Sequence, residues 1–296
     1  MKVFKILDDD VEYNIDEETY IEVTGLEKPY CISLENEDRY FAICPECDNP
    51  ILICNLLKEN TKRNIHGRHY PYSIEKLTDV DLHAMKACKY YTGNVSNPTE
   101  RVQKGNLSNK LCSEMRNNFV NIIKYLEFLT GIHISNNFAL ELLDEWISRK
   151  KWEYAMCNID TLAISLVFGR TPQNIMRRSI FRGSKLESEL KKHYSQRIIF
   201  EDSSNPNMVH LECPENNYSN LLILIYRKGT NTKNERYVIE FYLQEDDDKS
   251  KHSIQFKINH EDRIKFFENK NFSSKDRELQ DSAEKRFTTK VKNNNN

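Results

Sequence analysis

The sequence predicts an α+β protein with a small N-terminal module, a helical middle and a C-terminal antiparallel β region. Three observations favour this fold class. Apolar residues recur every three or four positions mid-chain, they alternate with polar residues towards the C-terminus, and a Cys-x-x-Cys motif near the N-terminus predicts a zinc-stapled module. The predicted regions are a β-containing zinc-binding module (1–104), a helical region with a basic helical hairpin (105–196), a β-rich region (197–270) and a disordered tail (271–296).

The first 43 residues predict short strands separated by acidic turns. Val3–Ile6, Tyr20–Thr24 and Tyr40–Cys44 are rich in β-branched and aromatic residues, as strands are. Residues 44–104 contain repeated glycine and proline breakers and predict irregular structure. An irregular stretch of this length needs a stabiliser other than an apolar core, and a metal ion would supply it.

The middle of the chain predicts five helices. One apolar stripe runs from Leu107 to Leu129 and stops at Gly131. Ser135 begins a second helix as its N-cap, and Asp160 begins a third over Thr161–Phe168. The remaining two are predicted from Pro172 to about Phe181 and over Leu186–Tyr194.

A period of two begins at Arg197 and predicts antiparallel strands. A short closing helix is predicted over residues 261–269, before the polar tail. The predicted strands are Arg197–Glu201, Met208–Cys213, Leu221–Arg227, Arg236–Gln244 and Ser253–Ile258.

Charge is unevenly distributed, although the whole chain has a net charge of only −2. Residues 1–40 have a local net charge of −8, and residues 170–197 one of +6. The basic segment indicates an anionic partner. The sequence shows no secretory signal and no apolar run long enough for a membrane span, so a cytoplasmic protein without a membrane partner is expected. In that compartment, clustered cysteines indicate metal ligands in place of disulfides.

The predicted metal ligands are Cys44, Cys47, His69 and Cys88. Two thiolates separated by two residues bind one ion from a tight turn, as in zinc ribbons and related folds. Three sulfurs and one imidazole nitrogen complete a tetrahedral set that favours zinc. Two alternatives stay open within this set. His66 could replace His69, and Cys54 could replace Cys88.

A structural zinc is favoured over a catalytic one because four protein ligands leave no open coordination position. The sequence lacks the deaminase pairing of His-x-Glu with Pro-Cys-x-x-Cys, and it lacks His-Glu-x-x-His. It also lacks a Walker loop and a Gly-x-Ser-x-Gly motif. No catalytic residue is therefore predicted.

A short β segment leads into Phe41-Ala42-Ile43-Cys44-Pro45-Glu46-Cys47, and His66-Gly67-Arg68-His69-Tyr70 follows. This arrangement over residues 38–70 resembles the N-terminal zinc-binding region of competence-protein CoiA-like families. The resemblance ends before Cys88 and includes no match to the nuclease part of those proteins. It implies a link to DNA handling.

The predicted helical hairpin over residues 161–181 has the form of a helix-turn-helix with a basic second helix. A cationic helix gains affinity for nucleic acid through counterion release. An ordinary hairpin with a solvated basic face explains the same pattern. The predicted phosphate contacts are Arg170, Arg177, Arg178 and Arg182.

The leading hypothesis is a zinc-binding, nucleic-acid-binding or adaptor protein, with the zinc structural. The hypothesis places the protein in a bacterial defence or mobile-element system, and the Asn- and Lys-rich composition of the chain is the basis for the bacterial source. One alternative is a metal-dependent nuclease that uses the His66/His69 loop. The other is a protein–protein interaction module with a structural zinc.

Overall fold

The structure, a computed structural model, describes residues 1–9, 11–34, 37–57, 64–91, 99–214, 219–228, 236–244 and 251–293. It combines helices with antiparallel sheets, which confirms the predicted α+β class. The chain divides into two compact units. Unit 1 comprises residues 1–94 and 100–112, and unit 2 comprises residues 95–99 and 113–296. The predicted helical and β-rich regions thus lie in the same unit.

Unit 1 is built on a four-stranded antiparallel sheet of order β3-β4-β5-β6, and β1 pairs separately with β2. Phe41 and Ile43 of this sheet share a buried cluster with Ile74 and Leu77. The elements are β1 (Val3–Phe4), β2 (Tyr13–Asn14), α1 (Glu17–Thr24), β3 (Cys31–Leu34), β4 (Glu37–Ile43), β5 (Pro50–Cys54), β6 (His66–His69) and α2 (Leu82–Ala87).

The predicted strand Tyr20–Thr24 is wrong, because these residues form the last turns of helix α1. The Asp16 side chain caps this helix by accepting a hydrogen bond from the Thr19 N–H, and Gly25 ends it in the left-handed conformation. These end signals outweigh the β propensity of the residues between them. The buried Tyr20 hydroxyl then donates to the carbonyl of Phe41 at 2.8 Å, which ties the helix to β4.

The prediction of irregular structure over residues 44–104 is also wrong in part. Strands β5 and β6 and helix α2 lie within this stretch. Ile51 and Ile53 of β5 are buried, so the segment has an apolar core of its own. A metal ion is therefore not the only possible source of order here.

Helix α3 (Asn106–Asn117) begins in unit 1 and ends in unit 2. The remaining elements lie in unit 2. Its helices are α4 (Phe119–Thr130), α5 (Asn136–Ser148), α6 (Leu162–Val167), α7 (Lys185–Tyr194), α8 (His260–Glu268) and α9 (Ser274–Asn293). Its strands are β7 (Gln173–Asn174), β8 (Ser179–Phe181), β9 (Ile199–Asp202), β10 (Met208–Glu212), β11 (Leu221–Lys228), β12 (Arg236–Leu243) and β13 (His252–Phe256).

Most of the predicted helices are present, with one break. The stripe predicted as one helix from Leu107 to Leu129 is two helices, because Asn118 leaves the helical conformation between α3 and α4. Ser135 caps α5 as predicted, by accepting from the Phe138 N–H. Asp160 does not cap α6. Its carboxylate instead lies 2.9 Å from Nε of Arg263.

The predicted helix from Pro172 to Phe181 is wrong, so the basic helical hairpin is absent from the described residues 161–181. This segment forms β7 and β8, which pair with β11 and β10. Arg177 has a φ of 63°, in the left-handed region that a helix excludes. The apolar residues Ile175, Met176 and Ile180 join the sheet core, and this burial outweighs the helix-starting signal of Pro172.

The C-terminal strands form two antiparallel sheets, as the period of two predicts. Their orders are β8-β10-β9 and β13-β12-β11-β7. The longest ladder pairs β11 with β12 and places Ile225 opposite Ile239. Leu186, Leu190 and Tyr194 of α7 belong to the same buried cluster as these strands.

The predicted disordered tail is wrong for residues 274–293, which form helix α9. Leu279, Ala283 and Phe287 recur every four residues on this helix and are buried. One apolar residue per turn is a narrow stripe in a polar sequence, and this explains the incorrect prediction. Gln280 also donates to the Arg116 carbonyl at 2.7 Å. Across the described residues, no helix is both long enough and apolar enough to cross a membrane.

We predict that Phe287→Ala lowers the free energy of unfolding of unit 2 by about 3 kcal/mol, as expected for a buried aromatic truncated in a core. The Phe287 ring meets Trp146 edge to face at a centroid distance of 6.2 Å. Tryptophan fluorescence during urea denaturation measures the loss, since both tryptophans of the chain lie in unit 2. Glu278→Ala, at an exposed position of the same helix, should change stability by less than about 0.5 kcal/mol. Equal effects of the two changes would contradict the packing of α9.

Candidate metal centre

The turn between β4 and β5 holds the two cysteines of the Cys-x-x-Cys motif. The Cys44 N–H donates to the Asn49 carbonyl at 2.9 Å, and the Asp48 N–H donates back to the Cys44 carbonyl at 2.9 Å. Asp48 has a φ of 57°, which lets the chain reverse tightly. Cys44 and Cys47 are both buried on this turn.

The register of β5 with β6 selects the histidine. Ile51 pairs with His69, so this ring lies beside the cysteine turn that precedes β5. His66 pairs with Cys54, three residues further along both strands. At a rise of about 3.3 Å per residue, that end of the ladder is about 10 Å away. Both open alternatives, His66 for His69 and Cys54 for Cys88, therefore lie at the far end of the strand pair.

Cys88 follows helix α2 directly and is its C-cap residue. The helix is short, and its N-terminus is fixed by the Asp81 side chain, which accepts hydrogen bonds from the N–H groups of His83 and Ala84. Burial alone would raise the pKa of Asp81. The N–H donors of Ala84, Asn106 and His83 outweigh burial and hold that pKa below its usual range.

The structure brings the four predicted ligands together. The sulfur atoms of Cys44, Cys47 and Cys88 and a ring nitrogen of His69 all lie within 4.8 Å of one another. Cys44 Sγ lies 3.7 Å from Cys88 Sγ, and Cys47 Sγ lies 3.3 Å from Nε2 of His69. Metal–ligand bonds of about 2.3 Å to sulfur and about 2.0 Å to nitrogen imply tetrahedral edges of about 3.5–3.8 Å. The two distances are close to these edges, and the 4.8 Å limit on the whole set means that small side-chain shifts would bring all four atoms around one ion.

The pKa values of two of the thiols are shifted in opposite directions. Hydrogen bonds from Cys44 and then Cys88 lower the pKa of Cys47 to about 4, against the opposing effect of burial. Burial raises the pKa of Cys88 well above its usual value. Three buried thiols in contact cannot all ionise together unless a positive charge compensates them. The donor set thus fits a metal ion, which would be held by the three thiolates and the His69 imidazole.

Asn49 connects the cysteine turn to the start of helix α2, a role that the sequence pattern did not predict. Its buried side-chain amide donates to the Cys47 carbonyl at 3.0 Å, and its side-chain oxygen accepts from the Asp81 N–H at 2.8 Å. The Thr78 hydroxyl donates to the Asp48 carbonyl at 2.8 Å. An asparagine two residues after Cys-x-x-Cys is too common a turn residue to signal this role by sequence alone.

Lysine side chains surround the cysteine turn. Lys110 donates to the Pro45 carbonyl and lies 3.5 Å from the Asp48 carboxylate, and Lys5 lies 2.9 Å from the same carboxylate. Lys89 lies 3.4 Å from the buried carboxylate of Glu46. These ammonium groups lie on the segment that carries the two thiols of the motif, and positive charge nearby favours thiolates over thiols.

The four arginines predicted to contact phosphate have different surroundings. Arg182 lies 2.5 Å from the Asp202 carboxylate and also donates to the Pro206 carbonyl at 3.0 Å. Arg177 is exposed, with Nε 3.9 Å from the Glu212 carboxylate. Arg170 and Arg178 instead converge on one ring, that of Phe138. The four do not share a helix face, because the predicted second helix is absent.

Comparison of the chain with protein-family models, with curated proteins and with solved structures gives no match.

We predict that Asn49→Ala lowers the free energy of unfolding of unit 1 by about 2 kcal/mol, because the Cys47 carbonyl and the Asp81 N–H lose their buried partner. Hydrogen–deuterium exchange of peptides from β4 and β5 measures the change as a loss of protection. Asn64→Ala, at an exposed position before β6, is the matched control and should leave protection unchanged. Unaltered exchange in Asn49→Ala would show that this amide does not hold the turn.

Proposed function

We propose that this chain is a non-enzymatic zinc-binding protein in which zinc holds unit 1 together. The observation that carries the proposal is the buried cluster of three sulfurs and one imidazole nitrogen, all within 4.8 Å. Thiolate and imidazole ligands in a tetrahedral arrangement favour zinc over magnesium or calcium.

The closed ligand set supports a structural role over catalysis. Four protein ligands leave no coordination position for water or substrate. The only carboxylate within the Cys-x-x-Cys motif is Glu46, which is buried beside Lys89 and is therefore unsuited to act as a general base in an open cleft. His66 contacts the Asn64 carbonyl through Nδ1 at 3.0 Å, at the far end of β6. These contacts do not favour a nuclease that uses the His66/His69 loop.

We predict one zinc ion per chain in the purified protein, measured by elemental analysis. His69→Asn and Cys88→Ser should each lower the zinc content and the exchange protection of β4, β5 and β6, because a tetrahedral site loses a ligand.

His66→Asn and Cys54→Ser are the matched controls for that experiment, since they change the same residue types at the other end of the β5–β6 pair. Both should retain one zinc per chain. Full zinc content with an intact fold in Cys44→Ser or His69→Asn would refute the ligand assignment. If zinc were lost from these two controls and retained in His69→Asn and Cys88→Ser, the ion would be bound by different residues.

We further propose that unit 2 binds nucleic acid through its basic segment, residues 170–197. Unit 1 has 14 Lys and Arg residues against 19 Asp and Glu, whereas unit 2 has 29 against 26. The phosphate backbone therefore favours unit 2 on charge alone. Arg177 and Lys192 are the most exposed of the segment's ion-paired cations, with side chains 64% and 65% accessible. The resemblance of residues 38–70 to CoiA-like zinc regions adds a link to DNA handling.

We predict measurable affinity for DNA or RNA at 50 mM salt that falls steeply by 200 mM salt, because phosphate binding releases counterions. Fluorescence anisotropy with a labelled oligonucleotide measures it. The double variant Arg177→Met/Lys192→Met should weaken binding and reduce the slope of log affinity against log salt by about 1–2. The double variant Lys76→Met/Lys86→Met in unit 1 is the control, because it also removes two positive charges. Absence of affinity at 50 mM salt would disprove the nucleic-acid role.

A further inference from the structure

A pocket with an aliphatic interior lies within unit 2, between the helices and the sheet that contains β11. The pocket opens to solvent, and its cavity volume is about 50 Å³. Its walls come from α4, α5, α6 and β11, together with the segment that enters β7. The aliphatic lining residues include Leu126, Ile132, Ile134, Ile175, Ile223 and Ile225.

The only charged residues that line the pocket are two arginines. Arg170 and Arg178 both contribute, and no carboxylate stands among the lining residues. The ring of Phe138 lies between them, with the guanidinium carbons 5.4 Å and 4.6 Å from its centroid. An aliphatic interior beside two fixed cations is complementary to a molecule with an apolar body and an anionic end.

Arg178 is well placed to donate to a ligand. Its guanidinium lies over the face of Phe138, and this stacking leaves the N–H groups at its edge available for hydrogen bonds. Within the part of the chain that the structure describes, this guanidinium forms no ion pair with a carboxylate and donates no hydrogen bond. Its backbone is fixed, since the Arg178 carbonyl accepts from the Leu211 N–H at 3.0 Å.

Among the residues that the structure describes, Arg170 has one carboxylate partner, and other cations share it. Its Nη1 lies 3.3 Å from the Glu145 carboxylate, which also contacts Lys151 at 3.1 Å and Arg149 at 3.5 Å. One carboxylate therefore serves three cations. Nη1 of Arg170 is buried, and no acceptor meets it in hydrogen-bonding geometry. A buried N–H without an acceptor is costly, and a ligand oxygen would relieve that cost.

We propose that this pocket binds a small carboxylate with an aliphatic body. The planar guanidinium fork matches the two oxygens of a carboxylate. Three other polar side chains of the pocket already donate within the protein: the Thr130 hydroxyl to the Leu126 carbonyl, the Gln173 amide to the Thr171 carbonyl and the Asn174 amide to Asn220. This inference goes beyond the proposed zinc and nucleic-acid roles and does not depend on either.

The test titrates the full-length protein with hexanoate, hexanamide and acetate while the isoleucine methyl signals are followed by NMR. Hexanoate should shift the pocket methyls of Ile132, Ile175 and Ile223 and leave Ile43 and Ile51 of unit 1 unchanged. Hexanamide lacks the charge and acetate lacks the aliphatic body, so each should bind at least about tenfold more weakly. Equal binding of hexanoate and hexanamide, or no shift with hexanoate, would overturn the proposal.

Arg178→Met should weaken hexanoate binding by about tenfold or more, as expected for a lost charged hydrogen bond. Arg277→Met is the matched control, since it removes an exposed arginine of the same unit that does not line the pocket, and it should leave hexanoate affinity unchanged. Equal losses in both variants, or no loss in Arg178→Met, would overturn the proposed role of the guanidinium. The comparison of hexanoate with hexanamide on the unchanged protein tests the pocket even where a variant fails to fold.

Discussion

The antiparallel register of β5 with β6 is the constraint on which the architecture of unit 1 depends. It places His69 beside the cysteine turn and His66 at the opposite end of the same ladder. A shift of one residue would turn the side chains of β6 to the other face of the sheet and remove the imidazole from the cluster. Gly67 contributes to this register, because a Cβ atom there would lie 2.9 Å from the Ile15 side chain.

The fourth ligand depends on a different set of contacts. Asn49 joins the cysteine turn to Asp81, and Asp81 starts the helix that ends at Cys88. The Asp81 carboxylate also accepts from the Asn106 N–H at 2.7 Å, so it fixes the start of α3 as well. Gly105 is required beside it, because its φ is 50° and a Cβ atom there would lie 1.9 Å from that carboxylate. One carboxylate thus orients two helices around the site.

Predictions from the sequence were correct where the local pattern and the long-range contacts favour the same structure. The cysteine spacing, the Ser135 cap and the alternation of residues 221–243 each predicted the observed structure. Predictions failed where tertiary packing overrides local preference. Tyr20 lies in a helix despite its strand-like neighbours, and the segment after Pro172 pairs with strands despite a helix-starting proline. The Arg170–Glu145 contact joins distant positions, so spacing along the chain gave no signal for the pocket.

The spacing of the four ligands along the chain determines how far the loops between them can vary in length. An ion held by Cys47 and His69 would close a loop of 21 intervening residues, and His69 and Cys88 would enclose a second loop of 18. Because closure entropy grows only with the logarithm of loop length, doubling such a loop costs about 0.6 kcal/mol. The connection between β5 and β6 can therefore vary in length at small thermodynamic cost. Strand β6 itself has no such freedom, since an insertion or deletion within its four residues moves the imidazole to the wrong face.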